Sequence, residues 1–163
     1  MNTVLRPMTE AGFARWFEHS VARYAEENVA AGRWPAEGAL ARADEGCRRL
    51  LPRGLATPGQ QLYTVHEAAE GAPAGAGAGE EVGVLWLAVT DPPGGRSGYV
   101  YEIEIRPAHR RRGHARGAFL ALEVLARAQG LADIGLHVFA HNEAAQALYR
   151  SLGYEATGIN MQK

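Results

Sequence analysis

Only one cysteine, Cys47, is present, so no intrachain disulfide can form, and with no base and orienter beside it the thiol reads as a small core residue. Lysine is missing apart from Lys163; 16 of the 17 basic side chains are arginine, a composition bias that also favours forked contacts to phosphate. The charge of −1 at pH 7 leaves no basic field of the kind that holds nucleic acid or an acidic membrane. Nowhere does an apolar run reach the roughly 18 residues of a bilayer span, and the residues after Met1 show no cationic lead followed by an apolar stretch. These absences predict a soluble, cytoplasmic chain that binds neither nucleic acid nor membrane. What remains is 163 residues, 47% hydrophobic and 21% charged, which predicts a single globular domain over residues 1–163. Its core must come from few large side chains, because alanine and 20 glycines make much of the apolar content small.

Periodicity divides the chain into elements. Residues 2–6 alternate weakly up to Pro7 and predict a short strand; Thr9 then caps a helix whose residues Phe13, Trp16, Phe17, Val21 and Tyr24 share one face until Gly32. Pro35 opens a second helical stretch with Leu40, Ala43, Cys47, Leu50 and Leu51 inward. Strands are predicted over 60–67 and 82–90, and the glycine–alanine alternation from Gly71 to Gly79 between them is read as a flexible hairpin link without a ligand. Residues 99–106 make a β-branched and aromatic strand stopped by Pro107. A helix over 113–129 turns Ala115, Ala118, Phe119, Leu122, Leu125 and Ala126 inward, and a strand follows over 134–139. Asn142 caps a last helix carrying Ala145, Leu148, Tyr149 and Leu152, and one or two strands are predicted between Tyr154 and Met161. The order β-α-α-β-β-β-α-β-α-β is that of a mixed α/β (α+β) sheet.

The chemistry concentrates where the strand ending at Arg106 passes through Pro107 and His109 into the helix at Gly113. Such a junction aims several unpaired backbone N–H groups and the positive end of the helix dipole at one point, which suits a phosphate. Gly113 permits close backbone approach, Ala115 keeps bulk away, and the arginines flank the turn as charge-assisted donors. An arginine run alone would be a solvated basic turn; the glycine and the strand-to-helix setting favour the anion site.

This stretch resembles the phosphate-binding motif of the GNAT superfamily of N-acetyltransferases: Gln or Arg, two residues, Gly, one residue, then Gly or Ala, here Arg110-x-x-Gly113-x-Ala115. A second signature of that family is similar to the run from Leu136 to Tyr154, and two ordered signatures with the two early helices extend the resemblance over nearly the whole chain. Uncharacterised bacterial members resemble it most, through Tyr24 to Glu27, the Leu51 to Leu55 turn and the Ile159-Asn160-Met161 end. The resemblance implies a mostly antiparallel central sheet of six to seven strands with about four helices. It implies acetyl-CoA as cosubstrate, its pyrophosphate held by Arg110, Arg111, Arg112, Gly113, His114, Ala115 and Arg116. It further implies a backbone donor to the acyl oxygen around Ile103 to Ile105, contacts to the pantetheine arm from Asn142 and Ala145, and Tyr149 as the acid beside the departing thiolate. A homodimer is implied by the resemblance alone.

An alkyl ammonium, with a pKa near ~10.4, must lose a proton before attacking a thioester, and a carboxylate can remove it directly or through one water. Glu102 and Glu104 share one face of an ideal strand, with Ile103 and Ile105 on the other; Glu102 is taken first as the base and Glu104 second, the competing reading being two ordinary exposed glutamates. Full proton transfer from a phenol to a thiolate is uphill by about 2 kcal/mol, so Tyr149 is expected to act by a hydrogen bond or transient donation. Trp34, Trp86, Tyr63 and Tyr101 are candidate walls of an acceptor pocket. His137 and His141 have helical zinc spacing, but in a strand they would stand about 13 Å apart, so no metal is expected. The predicted activity is acetyl transfer to a primary amine of a small molecule or peptide in a ternary complex; a coenzyme-sensing module without turnover is the alternative.

Overall fold

The computed structural model describes residues 3–68 and 78–161. Among them run, in order, β1 (Thr3–Pro7), α1 (Glu10–Ala30), α2 (Ala39–Leu50), β2 (Gln60–Ala68), β3 (Ala78–Thr90), β4 (Ser97–Ile105), α3 (His114–Ala128), β5 (Asp133–Leu136) and α4 (Glu143–Ser151). The sheet order is β1-β2-β3-β4-β5, antiparallel except for the parallel β4–β5 pair that the α3 crossover connects.

Period-two alternation sends β3 side chains to two different cores. Leu85 and Leu87 meet Phe119 and Leu122 of α3, while Val84 and Trp86 face Trp16 of α1. The sheet is thus covered by α1 on one side and by α3 with α4 on the other; Ala39, Ala43 and Cys47 of α2 pack on Val21 and Ala25 of α1. Phe119 is fully buried and meets Tyr149 and Tyr154 edge-on, with centroids 5.2 and 5.6 Å away. Phe119→Ala is expected to cost about 3–5 kcal/mol, read as a lower denaturant midpoint. Burial also pushes the Cys47 thiol pKa up, consistent with an inert core cysteine.

Both predicted caps form: Thr9 Oγ1 accepts from Gly12 N at 3.2 Å, and Asn142 Oδ1 accepts from Ala145 N at 3.1 Å. The sheet among the described residues has five strands, not six to seven. The segment after Tyr154 finds no partner strand, and β5 stops at Leu136 instead of Phe139. The second helix begins at Ala39, four residues later than Pro35, after Gly38 adopts a left-handed conformation (φ 73°); its buried stripe is Ala39-Ala43-Cys47, with Leu40 and Leu50 outside. β3 starts at Ala78 and pairs back onto β2, so the hairpin reading holds, although residues 71–77 of its link lie outside the described residues.

Two irregularities of β4 prepare the site. Its register with β3 passes from Val100–Leu87 to Glu102–Trp86, leaving Tyr101 as a bulge. Its pairing with β5 ends at Val100–Leu136, so the edge of β4 from Tyr101 to Ile105 has no β5 partner.

Candidate active site

After β4, a 3-10 turn (Pro107–His109) leads into a loop whose amides can be accounted for one by one. His109 N and Arg110 N donate to the carbonyls of Arg106 and Pro107, and the next amide with an acceptor is Gly117 N, bonded to the Gly113 carbonyl. From Arg111 through Arg116, no backbone N–H has an intramolecular acceptor among the described residues. Gly113 takes φ 85°, and Arg111 at φ 62° is the only non-glycine residue with positive φ among them. Left-handed residues between right-handed ones turn successive amides into a concave nest for an anion, and strain of this kind collects at functional sites. A Cβ on Gly113 would meet nothing within 4 Å, so the glycine serves this conformation and leaves the approach to the loop open.

The arginines differ in what they do. Arg110 folds back, its Nε donating to the Ile105 carbonyl at 2.8 Å with Nη2 at 3.9 Å from Glu104. Arg116 donates to Ser151 Oγ at 2.9 Å and ties α3 to α4. Arg111 and Arg112 project into solvent beside the nest. The His114 side chain is buried, so its contribution to the loop is its amide.

On the α1 side of β4, Glu102 and Glu104 converge on one guanidinium. Arg23 Nη2 lies 2.6 Å from Glu102 and Nη1 3.1 Å from Glu104. Ser20 donates to the other Glu102 oxygen at 2.8 Å, and the exposed His19 sits 3.3 Å from Glu104. The Glu102 side chain is 8% exposed and that of Glu104 16%. Burial pushes the Glu102 carboxyl above its ordinary value, against the opposing pull of Arg23 and Ser20. Tyr101 stacks on Trp86 at 4.8 Å and meets Tyr99 at 5.1 Å, so two exposed rings stand beside the carboxylates.

Of the other predicted residues, Ile105 belongs to the core on the α3 face, and Ile103 and Ala115 pack against it. Asn142 caps α4, and Ala145 and Tyr149 lie on it, none of the three with a hydrogen bond or ion pair to the glutamates among the described residues. The Tyr149 hydroxyl has no hydrogen bond there, and burial raises its pKa. Trp34 pairs with Tyr24, and Tyr63 packs toward the α3 core, so neither stands with Tyr99 and Tyr101. His137 and His141 both pack on Phe139. A groove of about 530 Å³ between α3, β5 and the segment after α4 is lined by Leu131, Ile134, Leu152 and Tyr154 together with Glu123, Asp133 and Glu155, and none of the predicted site residues lines it.

Ser20, Arg23 and His19 were not singled out from the sequence. The available signal was Ser20 interrupting the apolar face of α1 four residues after Trp16; a polar residue on a buried stripe needs a partner, and here it is 82 residues away.

A family model described as "Acetyltransferase (GNAT) family" matches residues 13–154. The uncharacterized N-acetyltransferase YycN of Bacillus subtilis (strain 168) is 32% identical over 163 residues, spanning 100% of this chain and 99% of its own. YdgE of the same organism, also an uncharacterized N-acetyltransferase, is 29% identical over 163 residues with 100% and 98% covered. The crystal structure of the putative acetyltransferase YycN superposes with a TM-score of 0.86, covering 99% of this chain and 98% of that one.

Proposed function

The chain belongs to the GNAT acetyltransferase family, and from that premise we propose that it moves the acetyl group of acetyl-CoA to a primary amine by direct transfer within a ternary complex, as a single domain over residues 1–163. The observation that carries this reading is the run of unengaged amides from Arg111 to Arg116 at the start of α3. That nest fits a diphosphate: it offers directed donors, a helix N-terminus and the exposed Arg111 and Arg112, with no carboxylate among its residues.

Bound there, acetyl-CoA supplies the thioester carbon that the amine attacks. Glu102 takes the ammonium proton, directly or by way of the Ser20 hydroxyl or a water; its raised pKa brings it toward the optimum for a base near neutral pH. Arg23 holds both glutamates in place, with Glu104 as the second carboxylate of the pair. The β4 amides past Val100, free of β5, are the proposed donors to the acyl oxygen, and Tyr99 and Tyr101 the proposed wall for the acceptor.

A steady-state screen of thiol release from acetyl-CoA across a panel of primary amines tests the reading. Calorimetric binding of the coenzyme with no turnover on any amine would replace it with a sensing module. Tyr149 stays protonated because its pKa is raised, so it stabilises the thiolate as a hydrogen-bond donor. Tyr149→Phe should therefore lower kcat by roughly 10- to 100-fold and leave KM for the amine unchanged.

A further inference from the structure

Beyond acetyl transfer, we propose that Glu67, His109 and His114 form a binding site for a zinc-type divalent cation that clasps the anion loop from behind. The ligand atoms of these three residues all lie within 4.8 Å of one another, the one such cluster among the described residues. They come from separate elements: Glu67 from the end of β2, His109 from the turn before the loop and His114 from the first position of α3.

The imidazoles are placed as ligands are. His114 is fully buried at 0% side-chain exposure, yet among the described residues neither ring nitrogen has a hydrogen-bond partner; Nε2 lies 3.1 Å from Glu67 Oε1 without the alignment of a hydrogen bond. A buried imidazole with two orphan nitrogens is costly, and a cation at Nε2 would remove one of them. His109 is 11% exposed, and its Nδ1, also buried and unpartnered, is 4.0 Å from the same Glu67 oxygen. Its other nitrogen, Nε2, faces Glu80 Oε1 at 3.3 Å. A carboxylate on the far nitrogen is how metal-bound histidines are oriented, because it keeps the proton there and leaves the near nitrogen free to ligate.

Two imidazoles and a carboxylate suit zinc among the divalent ions and leave a fourth tetrahedral position for solvent. Tetrahedral bonds of 2.0–2.1 Å place ligand atoms about 3.4 Å apart, so the widest separation in the site, within 4.8 Å, must close by up to about 1.4 Å. Glu67, whose side chain is 35% exposed and makes no hydrogen bond among the described residues, can close its 4.0 Å separation from His109, and His109 on its turn must close the remaining gap to the buried His114. The sequence led to the expectation of no metal anywhere in the chain, and the proposed site departs from it, because only folding unites residue 67 with residues 109 and 114.

His109 and His114 bracket the stretch that holds the strained Arg111 and the left-handed Gly113. An ion bound to both fixes the two ends of that stretch to β2. The effect on coenzyme affinity rests on the function proposed above, whereas ion binding and loop ordering do not.

The test uses the untagged full chain, freed of metal by a chelator and titrated with Zn²⁺ alone. One zinc per chain with micromolar or tighter affinity is expected, weakened about 100-fold or more by His109→Ala and by Glu67→Gln, and unchanged by His137→Ala or His141→Ala. These two variants leave buried His114 in place, so their loss of zinc does not depend on a core substitution. Without coenzyme, zinc should also slow hydrogen exchange of the amides from Arg110 to His114. No saturable binding, binding that survives both ligand variants, or stoichiometric binding without slower loop exchange would each overturn the proposal.

Discussion

Glu102→Gln should lower kcat/KM for amine acetylation by about 10²–10⁴-fold, the range a positioned general base supplies, while acetyl-CoA binding measured by calorimetry stays within a few fold of the original. Glutamine keeps the shape: its single amide oxygen can accept from Arg23 while its NH2 donates to Ser20 Oγ, so the substitution removes proton uptake and the negative charge with little change of shape. Glu104→Gln is the comparison: it leaves the Ser20-bound, more deeply buried carboxylate intact and should cost less. Equal losses at the two positions would mean that the pair works as a unit; unchanged rates in both would remove the base from this face of β4.

The same carboxyl fixes the sign of two pH effects. Burial raises its folded pKa, so a carboxylate able to take the ammonium proton accumulates at a higher pH than for an ordinary glutamate. The acid limb of kcat/KM should be displaced upward from that of an ordinary glutamate and vanish in Glu102→Gln. For stability the sign is opposite. A carboxyl that binds its proton more tightly in the folded state favours folding below its unfolded pKa, and this contribution is lost as pH rises through the folded pKa. Near neutrality Glu102 is therefore a cost to the fold, and Glu102→Gln should leave Tm unchanged or higher even as activity falls. A large drop in both would identify a structural role for the carboxylate.

Local signals in the sequence located the elements well where the physics is local. Thr9 and Asn142 bond amides three residues away, Pro107 ends β4, and Arg110-x-x-Gly113-x-Ala115 marks the nest, because caps, proline stops and left-handed glycines are decided within a turn of chain. Errors appeared where a partner decides. Residues 154–161 have β-like composition but no ladder to join, and 137–139 fall past the end of the β4–β5 pairing. In α2, three small residues outweigh Leu40 and Leu50 because only Ala39, Ala43 and Cys47 fit closely against α1. The shared face of Glu102 and Glu104 was legible from alternation, but the Tyr101 bulge beside it, and the Arg23 and Ser20 contacts from 79 and 82 residues away, depend on tertiary packing.

Gly113→Val should weaken acetyl-CoA binding by about 100-fold, and the control that gives this meaning is Gly130→Val. Both glycines have positive φ, 85° and 70°, and a Cβ on either would meet nothing within 4 Å. Forcing valine into the left-handed region costs about 1–2 kcal/mol at each, so both variants should lose similar thermal stability. Only Gly113 stands inside the run of unengaged amides; Gly130 closes the other end of α3. A backbone that relaxes away from φ 85° also turns neighbouring amides off the diphosphate, and hydrogen bonds to a charged group are worth about 1.5–3 kcal/mol each. Losing one or two such bonds gives the roughly 100-fold expected at position 113 and no loss of affinity at 130. Calorimetry with acetyl-CoA on the two variants decides it: equal affinities would move the phosphate site away from this loop, because strain common to both helix ends would then be all that the glycine relieves.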